Sequence, residues 1–418
     1  MSSPSGPQEP NHPPPPPGVE RRAWGRYPTD LATVPLPPTV ARDTLWTTLI
    51  KAGTEAYQEG RYQDVEKYFL KAIAEAEKFG PNDLRLAANL NDLGGLYLVQ
   101  GKYSLTETLC KRSLRIAEIV LGQHHVFLTT TLNNLGQLFD IQGRYAEAET
   151  CLEKALVILE SDQGIASPHV GYTLSLLARV YRSQGRDAAA APLLRRSLEI
   201  MTTAHGPHHV ETAAAQGNLA KLYLAQGRYD EAEPLLRRSL AILKKNLGPA
   251  NFEVALARQR LAILFERQGK HLQAKRLLRR ALATLEQTLG AEHPEVSRLL
   301  NNLAGIYHAQ GKVVRAKQLL RQSLAGLRKA LGPGHPEVTA LLNNLAALHF
   351  NQCEFTEAEM LFRQALVLRE ETLGPDHPQV AAVLRNYARL LRETNRDAEA
   401  DQLEARAQAI GEKQTAGR

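Results

Sequence analysis

The sequence predicts an all-α fold, a solenoid of about nine helix-turn-helix units, on the basis of three observations. Two series of glycines share one period of 42 residues and stay in phase, apart from a first step of 41. A series of asparagine-containing pairs keeps the same period. Ala, Leu, Arg and Glu dominate a chain that is only 6% aromatic, which favours helices. A fixed period of about 20 to 50 residues is typical of stacked repeat arrays.

Each unit contains two helices. In the unit 294–331, apolar side chains recur at three- and four-residue spacing on both sides of Gly311, so each half has one apolar face. Gly311 is expected to end the first helix, because glycine readily adopts the left-handed conformation found just past a helix end. Gly332 ends the second helix, and Pro336 begins the next unit, where its missing N–H costs nothing. The repeating unit is therefore a helical hairpin.

Residues 1–41 differ in composition from the rest of the chain. They contain twelve of the 23 prolines, including the run from Pro13 to Pro17. Such a segment cannot pack a core and tends toward extended polyproline II. We predict a disordered arm, for which a solvated tail is favoured over a ligand of a proline-reading module. The repeat array is predicted over residues 42–411 and a disordered tail over 412–418.

Bulk properties exclude several classes of protein. We find neither a secretory signal pattern nor a run of about 18 apolar residues, so no membrane span is expected. Cys110, Cys151 and Cys353 form neither a disulfide framework nor a CxxC pair. We therefore expect a reducing compartment and a cytoplasmic protein. The formal charge of +7 over 418 residues weakly favours an acidic partner and is poor evidence for nucleic acid.

Small residues at matching places in the hairpins carry a family resemblance. Ala304 and Ala316 lie on opposite helices of one hairpin, and small side chains let helices approach closely. The pattern L-x-x-L-(G/A)-x-x-(Y/F), followed by G-x-Y and A-x-x-x-L, resembles the tetratricopeptide repeat. The stretches LNNLAGIYHAQGK, LGPGHPEV and LGPDHPQV are similar to the 42-residue repeats of kinesin light chains and their bacterial relatives.

The resemblance covers about nine tenths of the chain and implies a right-handed superhelix. In that family the first helix of each hairpin lines a concave groove that receives a peptide. Attachment to a motor is not implied, because residues 1–41 contain no heptads. Neither a GxxxxGK(S/T) loop nor a recognisable catalytic set occurs, so we expect no enzyme and no cofactor. The resemblance implies a protein–protein interaction scaffold or adaptor.

By resemblance, the paired asparagines face this groove. Stacked helices lie about 10 Å apart and an extended peptide advances about 3.3 Å per residue, so each pair would meet about every third peptide residue. Asparagine both donates and accepts, and it can hold backbone amides of any sequence. Hydrogen bonding between neighbouring repeats is the alternative, and groove contact is favoured. The predicted groove asparagines are Asn91, Asn133, Asn134, Asn218, Asn301, Asn302, Asn343, Asn344 and Asn386.

Repeats 4 to 6 break the asparagine pattern with basic residues. At groove-type positions they carry Arg179, Arg182, Lys221, Arg258 and Arg260. Guanidinium groups bind carboxylates well, so we predict a central site for an acidic peptide or a C-terminal carboxylate. A solvated basic face with ordinary salt bridges explains the same residues equally well.

Three further features receive a structural interpretation. The arginines of the second helices, such as Arg237 and Arg238, have no aromatic residues between them, which favours solvated surface over a nucleic-acid site. Histidines recur between units about 10 Å apart, whereas metal ligands need a common centre at about 2 Å. We predict that they end one hairpin and begin the next, and that no metal is bound. Homo-oligomers built through the array ends, and a nucleic-acid-associated regulator, are the alternative functions.

Overall fold

The computed structural model describes residues 45–58, 61–291 and 293–416. These residues form eighteen α-helices and no strand, which confirms the predicted fold class. The helices are α1 (Leu45–Gln58), α2 (Tyr62–Glu77), α3 (Leu84–Val99), α4 (Tyr103–Leu121), α5 (Leu128–Ile141), α6 (Tyr145–Gln163), α7 (Pro168–Ser183), α8 (Asp187–His205), α9 (Val210–Ala225), α10 (Tyr229–Leu247), α11 (Phe252–Arg267), α12 (His271–Leu289), α13 (Pro294–Ala309), α14 (Val313–Leu331), α15 (Pro336–Phe350), α16 (Phe355–Leu373), α17 (Pro378–Glu393) and α18 (Asp397–Ala416).

The helices pack as nine consecutive hairpins, here numbered repeats 1 to 9 from α1/α2 to α17/α18. The first helices of most consecutive hairpins between repeat 2 and repeat 9 also contact each other. In a curved stack the elements on the inside lie closest together. The first helices, α3 to α17 in odd numbers, therefore line the concave side.

The ends of the chain differ in part from the prediction. The arm expected at residues 1–41 lies outside the described residues. Helix α18 continues to Ala416, so residues 412–416 are helical although they were predicted as part of a disordered tail. Asp401 and Glu404 on α18 are exposed and pair with Arg392. This polar surface suits the end of a stack.

The turn inside each hairpin has a constant shape. The glycines of the first series from Gly101 to Gly311 have φ between 70° and 74°. Cys353 and Asn395 replace this glycine in repeats 8 and 9 and adopt φ of 58°. The turn therefore keeps its form without glycine, and the backbone of Cys353 carries the strain that an L-residue meets in this region.

The histidines between the hairpins cap the first helices, as predicted. In α9, α13, α15 and α17 the imidazole Nδ1 of the preceding histidine accepts a hydrogen bond of 3.1–3.2 Å from the backbone N–H two residues later. These caps are His209, His293, His335 and His377. Ser167 caps α7 and Asn251 caps α11 in the same way. Each cap satisfies a backbone donor that the helix itself leaves without an acceptor.

Two of these histidines also join successive turns of the superhelix. The His335 ring lies against the turn at Gly101, where a Cβ atom would come within 2.8 Å of His335 Cδ2. His377 Nε2 lies 3.1 Å from the Ile141 carbonyl oxygen, 236 residues away in sequence. Leu373 packs against the core of repeats 2 to 4. We call these contacts the seam. The array thus returns on itself after about 5.6 repeats of 42 residues.

Candidate functional site

Three positions of the first helix recur every 42 residues in the region of the concave side. The first and second positions are those of the asparagine pair. The third position lies one helical turn after the second, on the same face of the helix. From repeat 3 to repeat 8 the third position is occupied by Gln137, Arg179, Lys221, Ile263, Gly305 and Ala347.

The asparagines form rungs between neighbouring repeats. In each rung Nδ2 of the second-position asparagine donates to Oδ1 of the first-position asparagine in the preceding repeat. The bond is 3.0 Å from Asn134 to Asn91, 3.3 Å from Asn344 to Asn301 and 3.1 Å from Asn386 to Asn343. Asn133 Nδ2 instead donates to Thr173 Oγ1, at 3.1 Å. These asparagines therefore make hydrogen bonds between neighbouring repeats, which was the alternative to groove contact.

The asparagines fall into two groups by exposure. Asn91, Asn133 and Asn134 in repeats 2 and 3 are 4%, 6% and 2% exposed. These three side chains have too little accessible surface for the predicted contact with a ligand. Asn344 is exposed, and the other asparagines of repeats 7 to 9 are half-buried. Accessible amides are therefore concentrated in the C-terminal third of the array.

The basic residues predicted for the middle of the array lie on α7, α9 and α11, and four of them come together. Burial, followed by the positive charges of Arg182, Arg260 and Arg179, lowers the pKa of Lys221 to about 8. Asp140 opposes this change. Screening limits the influence of one charge on another to short range, so these side chains lie near one another. We call Arg179, Arg182, Lys221 and Arg260 the cationic cluster.

Acidic side chains lie beside several members of the cluster. Arg179 Nε donates to Asp140 Oδ2 at 2.8 Å, and Arg182 Nε lies 3.9 Å from Asp187 Oδ1. Arg179 Nη2 is buried and has no hydrogen-bond acceptor among the described residues. The Lys221 side chain is exposed, although burial is the main cause of its low pKa. Both observations fit an ammonium group that water reaches but that protein surrounds. The cluster thus offers donors and positive charge to an anion.

Arg260 takes the place of an asparagine rung. It stands at the second position of repeat 6, and its counterpart at the first position of repeat 5 is Gly217. A Cβ atom on Gly217 would lie 2.8 Å from Arg260 Nη1, so an asparagine there would displace the guanidinium. The glycine therefore makes room for the larger side chain. The Gly217-Asn218 pair, the one pair with glycine in first place, was the sequence signal for this exchange.

Arg258 and Asn218 differ from the other predicted residues of repeats 5 and 6. Arg258 Nη1 donates to Thr284 Oγ1 on α12 at 3.2 Å, and burial and then Arg280 lower its pKa. Two residues along a helix turn the side chain by about 200°, so Arg258 faces its hairpin partner while Arg260 joins the cluster. Asn218 is half-buried at the second position of repeat 5.

The described residues lack two other functional features. No three His, Cys, Asp or Glu side chains lie together in an arrangement that could hold a metal ion. None of the described helices combines the length and the apolar character that crossing a membrane requires.

The repeat hairpins, their concave first helices and their sequence pattern define a class of protein. A family model for the tetratricopeptide repeat matches residues 85–161, 169–245, 253–329 and 337–413. The chain therefore belongs to the tetratricopeptide repeat family. A search of curated proteins gave no match.

Solved structures of similar fold fall into two groups. A Rap protein complexed with competence and sporulation factor has a TM-score of 0.56 and 15% identity, and covers 89% of this chain and 97% of its own. The Rap conjugation gene regulator of the plasmid pLS20, in complex with the Phr* peptide, has a TM-score of 0.53 and 13% identity, with 85% and 96% covered. A putative kinesin light chain from Podosopora anserina has a TM-score of 0.40 and 28% identity, and covers 49% of this chain and 97% of its own.

Proposed function

We propose that this chain is an adaptor that binds a peptide segment of a partner protein on its concave side. The cationic cluster holds an acidic side chain or the C-terminal carboxylate of that segment. The observation that carries the proposal is the convergence of three guanidinium groups on the ammonium group of Lys221, with Asp140 bonded to one of them. The shared fold of the Rap regulator bound to the Phr* peptide supports a peptide as the ligand.

The chemistry of the cluster favours a carboxylate. Guanidinium groups form short, charge-assisted and often bidentate bonds with carboxylates. An arriving carboxylate would give Arg179 Nη2 an acceptor and would relieve the repulsion that lowers the pKa of Lys221. Asn302 and Asn344 lie within reach of a ligand further along the array and can bond the backbone of any peptide.

An array of synthetic peptides tests this proposal. The peptides have nine residues in a Ser-Gly background and carry Asp-Glu, Lys-Lys or neither, each with a free or an amidated C-terminus. We expect the wild-type chain to retain peptides that contain Asp-Glu or a free carboxylate. The variant Arg179→Glu/Lys221→Glu/Arg260→Glu should lose this retention.

A variant with the same charge change elsewhere provides the control. Arg195, Arg238 and Arg276 are exposed on the second helices α8, α10 and α12. Arg195→Glu/Arg238→Glu/Arg276→Glu should retain the acidic peptides, and circular dichroism should show all three proteins equally helical. Equal losses in both variants would assign binding to net charge alone and would contradict the proposed site.

A further inference from the structure

A cavity opens on the concave side next to the cationic cluster. Its volume is about 350 Å³, and it lies between α11, α13 and α15. Leu278 of α12 and Leu320 of α14 form part of its wall, so the cavity passes between the first helices and reaches the second helices. Binding sites for small ligands have volumes from about 300 Å³ upward. The cavity is therefore large enough for one side chain of a bound peptide.

The cavity exists because the third position is small in repeats 7 and 8. Gly305 and Ala347 stand where repeats 5 and 6 carry Lys221 and Ile263. A Cβ atom on Gly305 would have no other heavy atom within 4 Å, which shows that the space above this glycine is open. Gly305 lies inside α13 and is not one of the positive-φ glycines. Its small size, and not a special backbone conformation, is what distinguishes it.

The lining of the cavity combines apolar side chains with polar ones. Ile263, Ile306 and Leu348 supply apolar surface. Asn302, Asn344 and Asn351 supply amides. Such a lining buries an apolar side chain and offers hydrogen bonds to the peptide backbone on either side of it.

The cavity and the cationic cluster form one continuous surface. Arg260 of the cluster and Ile263 of the cavity lie one turn apart on the same face of α11. Gly305 is one repeat from Arg260 and two repeats from Lys221, which corresponds to about 10 Å and about 20 Å. An extended peptide covers these distances in about three and about six residues.

We infer that this cavity binds a large apolar side chain, such as Phe or Leu, of the same peptide whose acidic group occupies the cationic cluster. The two groups are separated by about three to six residues of extended peptide. The inference rests on the proposed function and adds to it a second requirement in the ligand. The ligand class is a peptide with one acidic group and one large apolar side chain at this spacing.

The test uses the full chain and a second peptide array. Nine-residue peptides carry Asp-Glu at one end, and Phe, Leu or Ser at each of the other positions in turn, in both directions along the peptide. We expect wild type to bind the Phe and Leu peptides about tenfold more tightly than the Ser peptides when the spacing fits, because burial of a large apolar side chain contributes this much.

Two variants of Gly305 separate the cavity from the cluster. Gly305→Leu fills the space and should remove the preference for Phe and Leu while the requirement for Asp-Glu remains. Gly305→Ala adds one methyl group and should keep most of the preference. Both replacements raise helix propensity at an open position, so both variants should fold, which circular dichroism checks.

The outcomes distinguish this inference from the proposed function. If Gly305→Leu keeps the full apolar preference, or if wild type binds acidic peptides regardless of their apolar residue, the cavity has no such role and the proposed function stands. If wild type retains no acidic peptide at all, both are overturned.

Discussion

Repeats 3 and 6 show how one hairpin can be adapted to two purposes. In repeat 3, Asn134 bonds to Asn91 of the preceding repeat, and both side chains are buried. In repeat 6, the equivalent rung is Arg260 over Gly217, and Arg260 joins two other arginines around Lys221. The first arrangement holds neighbouring repeats together. The second gives up that amide bond and places a guanidinium group on the concave side. A difference of two residues in one rung therefore separates a structural region from the proposed binding region.

The largest expected effect comes from reversing this exchange of an asparagine rung for arginine and glycine. Gly217→Asn/Arg260→Asn should rebuild an asparagine rung in the middle of the array. We expect affinity for an acidic peptide to fall about tenfold or more, because a charge-assisted hydrogen bond contributes about 1.5–3 kcal/mol. Fluorescence anisotropy with a labelled Asp-Glu peptide measures the change.

Arg258→Asn is the matched control for this variant. It removes the same charge from the same helix, but Arg258 faces Thr284 and lies outside the cluster. Its affinity for the peptide should match wild type. A loss as large as that of the double variant would mean that the rung exchange does not create the site.

The structural role of the buried rung can be tested by its removal. Asn134→Ala leaves Asn91 Oδ1 buried without its donor. We expect the free energy of unfolding to fall by about 1–3 kcal/mol. Asn344→Ala removes the matching bond to Asn301 at an exposed position and should cost under about 1 kcal/mol. Thermal unfolding compares the two, and equal shifts would contradict the assignment of different roles.

The pH dependence of binding should report on the cluster alone. In the free protein the pKa of Lys221 is lowered to about 8 from its ordinary 10.5. A bound carboxylate favours the charged amine and raises this pKa. Affinity is therefore highest below pH 8 and falls as pH rises through 8, by up to about tenfold for each pKa unit that the ligand restores.

Lys221→Arg isolates this effect, because arginine stays charged throughout. Its affinity should be nearly constant from pH 7 to pH 9 in the same titration. A wild-type affinity that is equally constant would show that Lys221 does not face the ligand.

The smallest expected effect concerns helix caps, which also differ between the two regions. Ser167, His209 and Asn251 cap α7, α9 and α11 around the cluster, whereas only histidines cap α13, α15 and α17 beside the asparagine rungs. Burial and then Arg298 lower the pKa of His293 to about 4. Because the pKa in the folded protein lies below the ordinary 6.5, the stability that the neutral His293 cap contributes is present above pH 6.5. It is lost as pH falls through about 4.

His293→Asn replaces this cap with a side chain that does not titrate. An N-cap contributes about 1 kcal/mol, so the variant should lose less thermal stability than wild type between pH 6.5 and pH 4. Parallel curves for the two proteins would show that protonation of His293 does not destabilise α13.

The fold was predictable because each local signal was repeated in every unit. Glycines such as Gly311, prolines such as Pro336 and the apolar spacing between them mark the helix boundaries of one hairpin, and the 42-residue period copies them along the chain. The histidine caps followed from the same pattern. The site was only partly predictable. Arg258 and Arg260 differ by two positions, and a small error in assigning the helix face moves a side chain from the groove to the hairpin interface.

Other features could not be seen in the sequence. The asparagine pairs at 133 and 301 have the same letters, yet one is buried and the other is half-buried. The seam brings His335 to Gly101 and His377 to Ile141, although more than five repeats separate them. The cavity depends on the neighbours of Gly305, and a glycine inside a helix ordinarily indicates only reduced helix propensity.

By itself the sequence determined the repeating hairpin, its caps and turns, and the order of amide and basic groups along the first helices. These depend on short-range rules of helix geometry that each repeat satisfies alone. Tertiary structure decided which asparagines are buried, which four cations lie together, where a cavity opens and where successive turns of the superhelix are in contact. Each of these depends on the small rotation between neighbouring repeats, which accumulates along the stack and is set by packing that no single repeat contains.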